Sequence, residues 1–85
     1  IASEDLVIFP NPTDGQLNVQ FDRSVSGEME LSITDLTGKQ LLITKVMAQT
    51  GTNLVIVATE NLSSGMYLLN VSEGISKKTY HFMVK

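Results

Sequence analysis

The sequence contains no cysteine and no tryptophan, and only two prolines and one histidine. Without cysteine there can be neither a disulfide framework nor a thiolate metal site. Exported domains also occur without cysteine, so its absence assigns no compartment. A single histidine leaves a nucleophile–base–orienter triad only one ordinary base. Basic charge is also scarce, with six Lys and Arg against nine Asp and Glu and a net charge of -3. That balance opposes phosphate-backbone recognition, so no nucleic-acid partner is expected. No apolar run reaches the length of a membrane span. Nor does the chain open on a methionine or a signal-peptide pattern. Ile1-Ala2-Ser3-Glu4-Asp5 reads as a boundary within a larger protein. Residues 1–5 are therefore taken as a linker, and 1–85 as a single domain, which suits its length.

What is present is a core-forming composition. Apolar residues make up 42% of the chain, enough for a folded domain rather than a disordered tail. A core this small gives modest stability unless it packs well. Charge is distributed unevenly. The acids Glu4, Asp5, Asp14, Asp22, Glu28 and Glu30 all precede Leu31, and after Glu73 there is no Asp or Glu, only the basic residues Lys77, Lys78, His81 and Lys85.

Apolar residues alternate with polar ones, and Gly, Pro, Asn or Ser interrupts them every eight to twelve residues. This rhythm predicts short antiparallel strands in a sandwich or barrel, with no amphipathic helix. The first strand is Leu6–Phe9, stopped by Pro10. Asn11-Pro12-Thr13-Asp14-Gly15 follows, and the residue types predict a tight type I turn with a glycine bulge. In it Asn11 bonds its own backbone, Pro12 presets φ and Gly15 takes φ > 0. Leu17, Val19 and Phe21 share one face of the second strand, as do Met29, Leu31 and Ile33 in the third. Asp35-Leu36-Thr37-Gly38 reads as a second turn of that type, with Gly38 left-handed.

The fourth strand, Lys39–Val46, has no unique register, because Leu41-Leu42-Ile43 offers apolar side chains to both faces. Leu54-Val55-Ile56-Val57 is apolar on both faces too. It is read as either a central strand or one whose outer face something else covers. Strands six and seven, Met66–Val71 and Thr79–Val84, join through a hairpin at Ser72–Ser76. Seven strands in this length match an immunoglobulin-like antiparallel β-sandwich.

No catalytic, metal or cofactor site emerges. His81 lies between Tyr80 and Phe82 and so points to solvent if they point inward. Ser24, Ser26, Ser63 and Ser64 fall in turns. The acid pairs Glu4/Asp5 and Glu28/Glu30 are not held on a rigid frame. Asn11 and Asp14 are too few for calcium, and their turn accounts for both.

Three segments in order carry a resemblance: Phe9-Pro10-Asn11-Pro12-Thr13-Asp14-Gly15, Ile33-Thr34-Asp35-Leu36-Thr37-Gly38-Lys39, and Leu62-Ser63-Ser64-Gly65-Met66-Tyr67-Leu68-Leu69. The chain closes on Lys77-Lys78-Thr79-Tyr80-His81-Phe82-Met83-Val84-Lys85. Together they resemble the type A C-terminal sorting domains of cargo exported by the type IX secretion system of certain Gram-negative bacteria. Phe9 stands where that family often has Tyr. The resemblance implies a seven-stranded immunoglobulin-like sandwich, no enzyme activity and no cofactor. It also implies an N-terminally fused cargo that passes through the periplasm, led by outer-membrane translocon and shuttle proteins. A sortase-like cysteine peptidase then cleaves near or before Ile1 and attaches the cargo at the cell surface. Gly65, Tyr67 and the last strand through Val84 and Lys85 match the family's signal region. Independently of the family, a last strand with an uncovered edge suits pairing with a partner strand, and Lys77, Lys78 and Lys85 suit attraction to an acidic surface. The alternative reading is an accessory glycan-binding, adhesive or spacer sandwich of a secreted protein.

Overall fold

A computed structural model describes residues 6–23 and 25–85, so the linker reading of residues 1–5 lies outside the described residues. Seven strands form: β1 (Val7–Phe9), β2 (Gln16–Arg23), β3 (Gly27–Thr34), β4 (Gln40–Ala48), β5 (Gly51–Ala58), β6 (Gly65–Glu73) and β7 (Ser76–Val84). The described residues contain no helix. One sheet has the order β1-β2-β5 and the other β4-β3-β6-β7, with every pair antiparallel. The fold is the all-β sandwich expected from the alternation. β4 lies beside β3, whereas the constant-type immunoglobulin arrangement places the fourth strand on the opposite sheet.

The alternation translates directly into layers. Leu17, Val19 and Phe21 of β2 face inward, as do Met29, Leu31 and Ile33 of β3, Leu69 and Val71 of β6, and Phe82 and Val84 of β7. Leu17, Val19, Ile33 and Leu69 are fully buried. Burying each such side chain contributes about 1.5–3 kcal/mol before entropy is counted.

Two ambiguous segments are resolved by pairing. In β4, Leu42 and Val46 pack against the core, leaving Leu41, Ile43 and Met47 exposed. Pairing with β3 sets this phase, with Leu42 opposite Ile33 and Val46 opposite Met29, and a register shift follows only at the start of β4, between Ile33 and Thr34. β5 is an edge strand of its sheet, so Leu54–Val57 is not central. Val55 and Val57 face the core, while Leu54 and Ile56 stand 55% and 57% exposed on the outer face.

At one end of the sandwich the inward alternation of β2 reaches Arg23. Its guanidinium meets Glu73 at the end of β6 at 2.8 Å, an ion pair that ties the two sheets together.

Candidate recognition site

β6 and β7 form a hairpin in which Glu73 pairs with Ser76 across only Gly74 and Ile75. Gly74 has φ 61°, as the first central residue of a two-residue II′ turn requires. β7 is the edge of the four-stranded sheet, and its open side is closed at one end. There the segment between β1 and β2 reaches across. Thr13 N–H donates to Met83 C=O at 2.8 Å, and Lys85 N–H donates to Thr13 C=O at 2.9 Å. Met83 N–H donates to Asn11 Oδ1 at 3.0 Å. Thr13 is fully buried, and its hydroxyl donates to Gln16 C=O, fixing the loop that makes this clip.

This arrangement differs from the local turn read from the sequence. Asn11 caps a strand 72 positions away instead of its own backbone. The loop also brings together Pro10, Asn11, Pro12 and the end of β7, while Gly15 has φ 112° at the entry to β2. With its side-chain oxygen so engaged, Asn11 serves as a structural clamp on β7. Asn11→Ala is expected to cost about 1 kcal/mol, one net hydrogen bond. A urea midpoint lowered accordingly, together with faster amide hydrogen exchange at Met83, is the measurement that checks it.

Because Met83 points its backbone groups outward, strand alternation turns those of Lys77, Thr79 and His81 outward too. These three form the open part of the edge. His81 is exposed between core-facing Tyr80 and Phe82. Its place on the strand face follows from strand period.

The residues singled out in the sequence divide between the two ends of the hairpin. Gly65 pairs with Val84, and Tyr67 with Phe82, beside the clip. Tyr67 is only 8% exposed, and its ring lies 5.9 Å from that of Phe82. Its hydroxyl donates to Ser63 C=O at 2.7 Å, a corner that pins the β5–β6 connection to the start of β6. Gly65 adopts φ 149°, which a side chain would oppose, although an added Cβ would meet nothing within 4 Å. Backbone shape therefore accounts for Gly65, and core packing for Tyr67 and Val84. Lys77 and Lys78 sit by the hairpin turn, whereas Lys85 follows the far end of β7. At roughly 3.3 Å per residue they are separated by about 25 Å, so the three lysines do not form one basic patch.

The Asp35–Gly38 turn connects β3 to β4, just past Thr34, which pairs with Leu68 of the hairpin. Asp35 Oδ1 accepts from the Thr37 hydroxyl at 2.6 Å, from Thr37 N–H at 2.9 Å and from Lys39 N–H at 3.0 Å. Gly38 has φ 95° and donates to Asp35 C=O at 3.0 Å. The Thr37 hydroxyl first, then the Lys39 amide, hold the Asp35 carboxyl below its ordinary value of 3.8. A folded-state value below the unfolded one means that the native form binds fewer protons. This contribution is therefore complete above pH 3.8 and is lost as pH falls through the lower folded value. Urea midpoints measured from pH 7 to pH 2 should show a shallower acid limb for Asp35→Asn than for the parent.

Taken together, the elements form a small β-sandwich module that presents strand edges and charged strand ends. The chain belongs to the family of secretion system C-terminal sorting domains, whose profile matches residues 7–85. It is thus a type IX secretion sorting domain, a signal family and not a catalytic one. Membership implies dealings with the secretion machinery and export to the cell surface or beyond. No curated protein matches the chain. Similar solved structures include β-glucosidase 3B from Thermotoga neapolitana in complex with α-D-glucose, at 17% identity and TM-score 0.55. A β-glucosidase from Listeria innocua in complex with glucose matches at 14% identity and TM-score 0.46. The matches cover 96% of this chain but only 15% and 16% of those enzymes. At 17% identity the likeness to the Thermotoga neapolitana enzyme is one of fold alone.

Proposed function

We propose that this domain, residues 1–85 with 1–5 as the join, carries an N-terminally fused cargo from the periplasm through the outer membrane. Translocon or shuttle proteins read the β6–β7 hairpin. A sortase-like cysteine peptidase then cuts ahead of β1 and leaves the cargo attached at the cell surface. The observation that supports this reading is the state of β7. Its Met83–Lys85 end is clamped by Asn11 and Thr13, while the outward backbone of Lys77, Thr79 and His81 remains open. A rigid edge with a short open stretch suits strand addition by a partner, and Lys77 and Lys78 flank that stretch with positive charge. Gly65, Tyr67 and Val84 act in this scheme by holding the hairpin's shape, and Lys85 by extending the clamp.

A glycan-binding role finds little support, because sugar platforms need exposed rings. Phe21, Tyr67 and Phe82 are buried, leaving Phe9, at 42%, as the most exposed ring among the described residues.

The test is export of a periplasmic reporter fused ahead of the domain in a competent host. Lys77→Glu with Lys78→Glu should lower surface reporter several-fold while leaving the purified domain's urea midpoint unchanged. Full export by that variant would defeat the charged-edge reading. Cleavage ahead of β1 is checked by mass spectrometry of the released domain.

A further inference from the structure

The two sheets have four margin strands, β1 and β5 in one and β4 and β7 in the other. A margin leaves a row of unpaired N–H and C=O groups, and proteins guard such rows with charge, proline or a bulge. β7 carries Lys77, Lys78 and His81. β4 carries Lys45 and has a register shift near its start. β1 is three residues long and runs into Pro10. β5 has none of these guards. Its eight residues contain no charge and no proline, and they pair with β2 in unbroken register.

The direction of its backbone groups follows from one bond. Thr59 N–H donates to Gly15 C=O at 2.9 Å, which continues the β2–β5 ladder by one hydrogen-bonded pair. Alternation then turns Val57, Val55 and Asn53 toward β2, and Thr52, Leu54, Ile56 and Ala58 toward the open margin. Leu54 and Ile56 also present their exposed side chains on the outer face.

We infer that β5 is a self-pairing edge, which joins two copies of this chain antiparallel about a two-fold axis. In the matching register Leu54 lies opposite Ile56 of the second copy, and Thr52 opposite its Ala58. All four outward residues of each strand are then paired, as an isologous contact requires. Charge selects this occupant. Two β7 strands side by side would oppose lysines, and like charges across a strand pair are destabilising. β5 against β5 meets no charge at all. The result is one continuous sheet built from β1, β2 and β5 of both copies. With only eight residues of strand pairing the contact is small and the dimer weak, populated where copies are crowded.

Sedimentation velocity of the 85-residue chain, from about 10 µM to about 1 mM, should show concentration-dependent dimerisation. Leu54→Lys with Ile56→Lys sets lysine opposite lysine at both central pairs and should weaken the dimer roughly tenfold or more. Leu54→Glu with Ile56→Lys sets glutamate opposite lysine and should restore it, now in a salt-sensitive form. Both positions are more than half exposed, so each variant should keep the parent's far-ultraviolet circular dichroism and urea midpoint. Lys77→Glu with Lys78→Glu should dimerise like the parent. A parent that stays monomeric to about 1 mM would overturn the inference. So would a double-lysine variant that dimerises as well as the parent, or loss of the dimer in the Lys77, Lys78 variant.

Discussion

Phe82→Ala is expected to cost about 3–5 kcal/mol, which is most or all of what a domain of this size possesses. Phe82 is 1% exposed, stacks on Tyr67, and lies on the strand that the Asn11–Thr13 loop clamps. Truncation leaves a cavity among side chains drawn from both sheets, and an edge strand cannot close it without breaking its ladder. Urea denaturation would show either no cooperative transition or a midpoint far below the parent's. Phe82→Leu keeps most of the volume and should retain the cooperative transition. The consequence for export experiments is direct. Deleting Thr79–Lys85 removes Phe82 and Val84 together, so lost export after that deletion reports unfolding as readily as lost recognition. The exposed-lysine substitutions avoid this confusion because they leave the core unchanged.

Removing one partner of the Arg23–Glu73 pair should have the next largest effect. The Arg23 side chain is 8% exposed and Glu73 34% exposed, so the pair is buried at one end and wetted at the other. Breaking a fully buried pair costs about 3–5 kcal/mol, because a charge is left without compensation. Solvent at Glu73 screens part of this, giving about 2 kcal/mol for Glu73→Ala. Arg23 Nη1 already lacks a hydrogen-bond partner, so the remaining guanidinium would have still less to hold it. Arg23→Met with Glu73→Leu removes both charges and fills the space, and should lie close to the parent in stability. A double-mutant cycle read by urea midpoint checks both expectations. Additivity of the two single substitutions would show that the pair contributes no coupling.

Both expectations rest on residues whose importance is unequally visible in the sequence. Phe82 belongs to an alternating run, and its burial follows from strand period alone. Arg23 also falls on the inward phase of β2, after Leu17, Val19 and Phe21, yet its charge reads as the end of a strand and a turn. The partner that makes inward placement tolerable lies on the opposite sheet. The candidate site shows the same division. The open edge of β7 could be anticipated for a last strand, but not that its end is closed by a loop from the other end of the sequence. Asn11 carries the strongest local turn signal in the chain, and the structure uses its side chain elsewhere. Its bond to Met83 forms because the β1–β2 loop and β7 meet at the same side of the sandwich.

The sequence by itself determined the strand periods, the inward sets of β2 and β3, and the family to which the chain belongs. These follow from side-chain alternation and from motifs only a few residues long. Tertiary structure alone decided that β4 joins β3 with Leu42 inward, that β5 is a margin, and that Arg23 meets Glu73. It also decided that Lys77 and Lys78 stand a strand's length from Lys85, and that Asn11 serves β7. The reason is physical: a strand's own pattern says which side chains turn inward, but the partner of its free hydrogen-bonding groups is chosen only when distant segments pack.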